Sequence, residues 1–313
     1  MKIRLGYVCL VKSVNLPFKT INFTNFNKSN DFDKLDSIIK YNLNNLYEIL
    51  KYNKKNGIYF YRMTSNLIPL ATLDKVEFDY LDKYSDLYDK IGKFIKDNNM
   101  RVDFHPDQFC VINSTNDVVY QNSIKILNYH FNLLDKMGIK NKVLVLHIGS
   151  TVFGKDASIK RFISRFNKLD DKLKKCIVLE NDDKTYNVLD TLLLCEKLGV
   201  PMVLDYHHYV CNKGDVNLYD VIDRVFNTWD ILPKIHFSSP KNLSKKDFRS
   251  HNDYIDENTF IDFLENIKFL DKDIDIMLEA KEKDCALFRL VRGIKYKTDY
   301  SFINDSSFII KSD

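Results

Sequence analysis

The chain has 313 residues, 45% of them hydrophobic and 13% aromatic, enough to bury a sizeable core and to exclude a largely disordered protein. Forty-seven Lys and Arg against 43 Asp and Glu leave a formal charge of +4 at pH 7, a balance that permits a nucleic-acid partner without requiring one. No apolar stretch approaches the roughly 20 residues of a spanning helix, the start MKIRLGYVCLVKS lacks a small-residue cleavage site, and the six cysteines form no CxxC pair; the expectation is a cytoplasmic protein with reduced thiols and no membrane partner.

Short apolar runs alternate with longer amphipathic ones along the whole chain. IRLGYVCL (3–10) reads as a first strand and is followed by a long loop, KSVNLPFKTINFTNFNKSNDF. A helix over 42–56 leads to GIYFYRM (57–63), one over 80–99 to RVDFHP (101–106), and one over 123–139 to KVLVLHIGS (142–150). The alternation continues with 159–175 and CIVLEND (176–182), 185–199 and PMVLDYHH (201–208), 218–231 and PKIHFSS (233–239), and 258–271 and DIDIMLEAK (273–281). The helical stretches repeat Leu, Ile, Phe or Val at spacings of three and four, and each strand is a nearly continuous apolar run, as in a parallel sheet covered by helices. Eight strands, with no GxGxxG turn after the first, predict a closed (β/α)8 TIM barrel of α/β class rather than an open doubly wound sheet. No linker or repeat divides the chain, so residues 1–292 are read as one barrel domain and 293–313 as a C-terminal extension.

In such a barrel the chemistry gathers where the strands end. Strand three ends in His105, four in His147, five in Glu180, six in Asp205 with His207 and His208, seven in His236 and eight in Glu279; His251 follows in the loop after strand seven. Of the seven histidines only His130 falls within a helix. Any one of these has an ordinary structural explanation, but burying so many ionisable groups at one mouth is unfavourable unless they are paired or bound to cations. In LDYHH, Asp205 and His208 lie three apart as the strand turns, so that the carboxylate can hold one ion and the imidazole reach its neighbour, with His207 left for packing or support. Mixed imidazole and carboxylate ligands without thiolate suit Mn²⁺ or Zn²⁺ better than a closed structural zinc site. Two or three clustered divalent ions are the usual apparatus for phosphodiester hydrolysis.

The ordered series NGIYFYRMTSNLIPLAT, HPDQF, VLHIGS, LEND, LDYHH, KIHFSS, SHNDYI and MLEAKEKDCAL resembles the UV damage endonucleases, over about residues 5–290. The resemblance implies a TIM barrel related to the endonuclease IV type, with two or three divalent ions at its mouth (Mn²⁺ foremost, Zn²⁺ or Mg²⁺ as alternatives). It further implies a damaged double-stranded DNA substrate and incision immediately 5′ to a pyrimidine dimer, leaving a 3′-hydroxyl and a 5′-phosphate. It carries metal-ligand roles to His105, His147, Glu180, Asp205, His208, His236, His251 and Glu279, with Glu180 bridging ions and catalytic. Lys234 falls where the family has a lysine carboxylated near the metals, which would make it catalytic with Glu180, and an ordinary strand-end lysine facing solvent or phosphate is the alternative. Gln108 and Phe109 match the pair that wedges into the duplex at the lesion, and Tyr7 a tyrosine near the flipped nucleotides. One departure stands out: after NLIP the family continues to a metal-binding histidine, and the matching position here is Leu73, which cannot coordinate an ion. The competing readings are an abasic-site endonuclease or metal-dependent sugar isomerase or epimerase on the same barrel, and a non-cutting binder of damaged DNA. A monomer is the simplest expectation.

Overall fold

The computed structural model describes residues 1–311. Eight strands, β1 (Lys2–Val8), β2 (Phe60–Arg62), β3 (Arg101–Asp103), β4 (Leu144–His147), β5 (Ile177–Glu180), β6 (Met202–Asp205), β7 (Lys234–Phe237) and β8 (Ile274–Leu278), pair in parallel in the order β3-β2-β1-β8-β7-β6-β5-β4. The seam between β3 and β4 is closed by a parallel bridge from Phe104 to Leu144. The amide of Phe104 donates to Val143 and that of Val145 to Phe104, at 3.2 and 3.0 Å. The architecture is the TIM barrel that eight alternating runs imply. The ladders are shorter than those runs: at the carboxyl ends the excess residues, such as His105 and Glu279, enter the loops that build the mouth, and at the amino end of β2 Gly57 lies against the turn at Asn304–Ser306.

A helix follows each strand, from Phe32–Lys55 after the first to Lys283–Lys297 after the eighth. Several begin where a side chain takes an orphan amide of the first turn: Asp31, Asn116 and Asp256 accept from Lys34, Val118 and Thr259, and Asn187 forms a reciprocal capping box with Asp190. Two features differ from the pattern read along the sequence. The long first loop contains a short helix, Phe23–Ser29, capped by Asn22. The start of that loop is pinned by the buried Asp284 carboxylate, which accepts from the amide of Lys12 at 2.6 Å and from the hydroxyl of Tyr52 at 2.9 Å, and its middle by Asn45 and Asn42, which donate to the carbonyls of Pro17 and Lys19. The last helix runs through Arg292 to Lys297, and beyond it β9 (Ser301–Asn304) and β10 (Ser307–Ile309) form a hairpin whose second strand pairs antiparallel with the start of β1. The hairpin thus covers the part of β1 that the three-residue β2 is too short to reach.

Side chains alternate strictly across the barrel wall. Ile3, Leu5 and Tyr7 on β1, Leu144 and Leu146 on β4, Leu204 on β6, and Ile274, Ile276 and Leu278 on β8 face outward into the large apolar layer shared with the helices. The inward positions carry two small apolar groups, one of Val143, Val145, Val178, Val203 and Trp229 and one of Val8, Phe60 and Met277, and between them charged residues in layers. At the amino end Asp275 takes Arg4 in a bidentate pair at 2.6 and 2.7 Å and Arg101 at 2.8 Å. One layer up, Lys234 and Asp103, both fully buried, pair at 2.7 Å. No helix among the described residues is long and apolar enough to cross a membrane.

His130 sits in the outer layer, its Nδ1 donating to the Ile126 carbonyl at 2.8 Å and its Nε2 buried without a hydrogen-bond partner. Burial pushes this imidazole from 6.5 down to about 4. Above pH 6.5 neither the folded nor the unfolded chain protonates the ring, so it leaves stability unchanged; between 6.5 and 4 only the unfolded chain takes the proton, and stability falls as pH falls. Chelator-treated wild-type protein is therefore expected to lose about 2 kcal/mol more than His130→Phe between pH 7 and pH 5, read from urea midpoints. Equal losses in the two proteins would refute this.

Candidate metal centre

Inward alternation brings the carboxyl-end residues of six strands to one point. Glu180, only 1% exposed, is the hub. Its Oε2 lies 2.9 Å from His105 Nε2 and 3.8 Å from His147 Nε2, and its Oε1 lies 2.9 Å from His236 Nδ1 and 3.5 Å from His208 Nδ1. One carboxylate therefore spans two groups of potential ligands, His105–His147–Glu180 and Glu180–Asp205–His236, whose donor atoms lie within 4.8 Å of one another in each group. Glu279 stands beside them, with Oε1 3.3 Å from His236 Nδ1 and Oε2 3.9 Å from His251 Nδ1.

The local chain fixes these side chains from behind. Asn181 clamps the Asp205 backbone, donating to its carbonyl at 3.0 Å and accepting from its amide at 2.9 Å. Asp205 Oδ1 caps the helix Tyr206–Cys211 through the His208 amide at 2.7 Å. His208 Nδ1 donates to the Asn181 carbonyl and His105 Nδ1 to that of Pro106, each at 2.9 Å, which fixes both rings and turns His105 Nε2 toward Glu180. After His147 the chain turns sharply at Gly149, φ +100°, where a Cβ would press to 2.9 Å from Asn113 Oδ1; that oxygen accepts from the Ser150 amide.

The electrostatics have the character of a site built for cations. Burial opposes the Glu180 charge, yet His236 and His147, with the hydrogen bonds from His105 and His236, hold its carboxyl well below the ordinary range. Burial, with the charges of Glu180 and Glu279, pushes Asp205 up to about 8 in spite of His208 nearby, and its fully enclosed Oδ2 has no hydrogen-bond partner. Burial works against a charged His208, but Asp205, Glu180 and Glu279 together raise it to about 9. His236 is pushed down to about 4 and His147 is also lowered, both chiefly by burial, so these rings stay neutral as ligands require. An orphaned carboxylate oxygen, neutral imidazoles and a hub carboxylate between two donor groups all fit divalent ions.

The other expected residues fall in different places. Tyr7 does not join the mouth: its odd position on β1 turns it outward, where it is fully buried and donates to Asn53 Oδ1 at 2.6 Å. Lys234 neither faces solvent nor lines the mouth cavity. It lies two residues before His236, one layer deeper, where burial outweighs Asp103 and lowers its ammonium to about 8. His207 packs its ring 5.6 Å from that of His251. Gln108 and Phe109 lie on the loop after β3; Phe109 is 70% exposed, and both line an apolar groove of about 700 Å³ with Phe23, Val111 and Ile126. Leu73 lines this groove rather than the mouth cavity.

Two buried residues escaped the sequence reading. Arg62 at the end of β2 reaches Glu279 Oε1 and His236 Nε2, each at 2.5 Å, and Asp103 Oδ1 at 3.4 Å. Asp103 anchors both Arg62 and Lys234. Period-two counting back from His105 marks Asp103 as inward, and a lone Arg within YFYRM is the corresponding signal on β2. The mouth cavity, about 700 Å³, is bounded by Arg62, His105, His147, His251 and Glu279, with Arg249, Lys281 and Lys283 adding positive charge.

With this geometry in hand, the relatives are informative. The family model described as UV-endonuclease UvdE matches residues 3–308. A Bacillus cereus (strain B4264) protein named UV DNA damage endonuclease is 40% identical over 310 residues, covering 94% of this chain and 97% of that one. The crystal structure of SacUVDE superposes with a TM-score of 0.87 at 35% identity, covering 94% of this chain and 99% of that one. Endonuclease IV from Thermus thermophilus, with a TM-score of 0.57 at 10% identity over 94% of this chain and 100% of that one, shares the fold. The length and identity of these matches leave one assignment: the chain belongs to the UV-endonuclease UvdE family.

Proposed function

We propose that this chain is a divalent-metal-dependent DNA repair endonuclease, monomeric and cytoplasmic, that incises double-stranded DNA immediately 5′ to UV photolesions and leaves a 3′-hydroxyl and a 5′-phosphate. The observation that carries the reading is the Glu180 hub, a buried carboxylate joining two ligand groups at the mouth of a barrel of this family. His105, His147 and Glu180 would hold one ion, and Glu180, Asp205 and His236 another, with His208, His251 and Glu279 at hand to complete either shell or a third. Mn²⁺ is the ion we expect, with Zn²⁺ and Mg²⁺ as alternatives. Such ions, when bound, supply Lewis acidity to the phosphate and lower the pKa of an attacking water.

The protein's own groups do the rest. Arg249, Lys281 and Lys283 give the mouth a positive edge that draws in the phosphate backbone. Phe109, held out into solvent beside Gln108, offers a stacking face that replaces a base in the duplex. A damaged dinucleotide stacks poorly, so extruding it costs less than extruding intact bases, and the wedge converts that difference into lesion choice. Lys234 supports this centre from one layer below, either as the ammonium partner of Asp103 or in carboxylated form.

The direct test is an end-labelled duplex with one pyrimidine dimer, incubated with Mn²⁺ beside duplexes that are undamaged or carry one abasic site. A single cut 5′ to the dimer is expected; cutting only at the abasic site would assign the chain an endonuclease IV-like activity instead. Glu180→Gln should lower the cutting rate by roughly 10³-fold or more and reduce bound metal by elemental analysis. Phe109→Ala and Gln108→Ala should lose action on the damaged duplex while metal content stays that of the wild type, and a parallel loss of metal in either would remove them from lesion recognition. Three phosphate contacts from the rim cations predict that DNA affinity drops about 40-fold between ~50 and ~200 mM salt, and that Lys281→Ala flattens the slope by about one contact. A salt-independent affinity would count against a nucleic-acid substrate.

A further inference from the structure

Two of the candidate ligand histidines have a ring nitrogen facing a carbonyl oxygen. Nδ1 of His105 donates to Pro106 and Nδ1 of His208 to Asn181, so in each ring Nδ1 keeps its proton and Nε2 is the nitrogen an ion could take once it carries none. His236 is different. Its Nδ1 is the nitrogen aimed at the cluster, 2.9 Å from Glu180 Oε1, 3.3 Å from Glu279 Oε1 and 4.0 Å from Asp205 Oδ2. Its Nε2 meets Arg62 Nη2 at 2.5 Å, and a guanidinium nitrogen can only donate. Nε2 must therefore be the bare acceptor and Nδ1 the N–H, which is the tautomer that cannot ligate. The same guanidinium occupies Glu279 through Nη1 and carries a full positive charge, held above its ordinary value by Glu279 and Asp103 against the cost of burial.

We propose that Arg62 is an internal cation that metal displaces. In the metal-free protein it holds Glu279 and His236 together and keeps His236 in the Nδ1–H form. When an ion enters between Glu180, Asp205 and His236, the Nδ1 proton leaves to solvent and Nε2 gains one, so the ring remains neutral and the proton count is unchanged. An Nε2–H cannot face an Arg62 N–H. The guanidinium then withdraws, keeping Asp103, and its freed donors turn into the mouth cavity that Arg62 already lines, where the anion at hand is the phosphate of bound DNA. Arg62 is thus a positioning residue for the centre before metal arrives, and a phosphate ligand afterwards.

This inference rests on the metal-centre reading, and the experiment separates the two. Imidazole ¹⁵N spectra of the full chain, metal-free and loaded with diamagnetic Zn²⁺, report the tautomer of His236, assigned against a His236→Gln spectrum. The expected result is Nδ1–H without metal and Nε2–H with it. Zn²⁺ uptake with an unchanged tautomer would overturn the inference alone; no uptake at all would overturn the metal-centre reading and the inference with it. Arg62→Met gives an independent readout: removing a competing cation should tighten Zn²⁺ binding by about tenfold or more, measured by competition with a chelating dye. A simple structural strut would weaken binding when removed, and that result would also refute displacement.

Discussion

The organisation of this protein follows from the cost of keeping the Glu180 carboxylate charged inside a barrel. A lone carboxylate taken from water into such a site would be expected to take up a proton. Here His236 and His105 donate to it at 2.9 Å, and His147 and His208 stand within 4 Å. Two further carboxylates, Asp205 and Glu279, share the same small volume, so the mouth without its ions carries more negative charge than its histidines alone balance. Arg62 is the fixed positive charge that the sequence supplies in return. Beneath it the pattern repeats as a column of pairs, Lys234 with Asp103 and then Arg4 and Arg101 with Asp275, separated by valines, Phe60 and Met277.

Chemistry and stability are divided between alternate residues of the same strands. Leu179 and Leu204 face outward into the large apolar layer, while their immediate neighbours Glu180 and Asp205 face inward to the mouth. Ile235 and Phe237 likewise flank His236. The outward positions contribute burial of about 1.5–3 kcal/mol per large side chain, and the inward ones set charge and ligation. A strand of four residues can therefore answer two demands without compromise at any single position.

Much of this was legible in the sequence because the barrel repeats one rule eight times. All eight strands stand where apolar runs meet helical spacing, and the polar residues that close those runs do meet at one mouth. The parts that were not legible depend on which face a residue takes or on distant partners. Tyr7 matches a motif but sits on the outward parity of β1, so the motif alone misplaced it. Arg62 and Asp103 lie inside runs read as apolar, and a buried charge has no local signature until its partners on other strands are known. Lys234 was open to two readings, a lysine carboxylated near the metals or a strand-end lysine facing solvent or phosphate, and the inward stagger of β7, which buries it completely, removes the solvent-facing one. The helix Lys283–Lys297 and the hairpin after it were obscured for the same reason: the hairpin owes its order to β1, more than 300 residues away in sequence.

That pairing bears on how the chain assembles. β1 is the first of the barrel strands to be made, yet only its last residues find a neighbour soon, in β2; its remaining ladder partners are β8 at 274–278 and β10 at 307–309. The wall of the barrel therefore cannot be completed until β8 and β10 have emerged, and β1 waits with open edges in the meantime. Contacts of such sequence separation slow folding and prolong the lifetime of exposed strand edges. The hairpin is thus a late clasp, and the ligand cluster, whose members span residues 105–279, acquires its geometry only as the clasp makes the barrel whole.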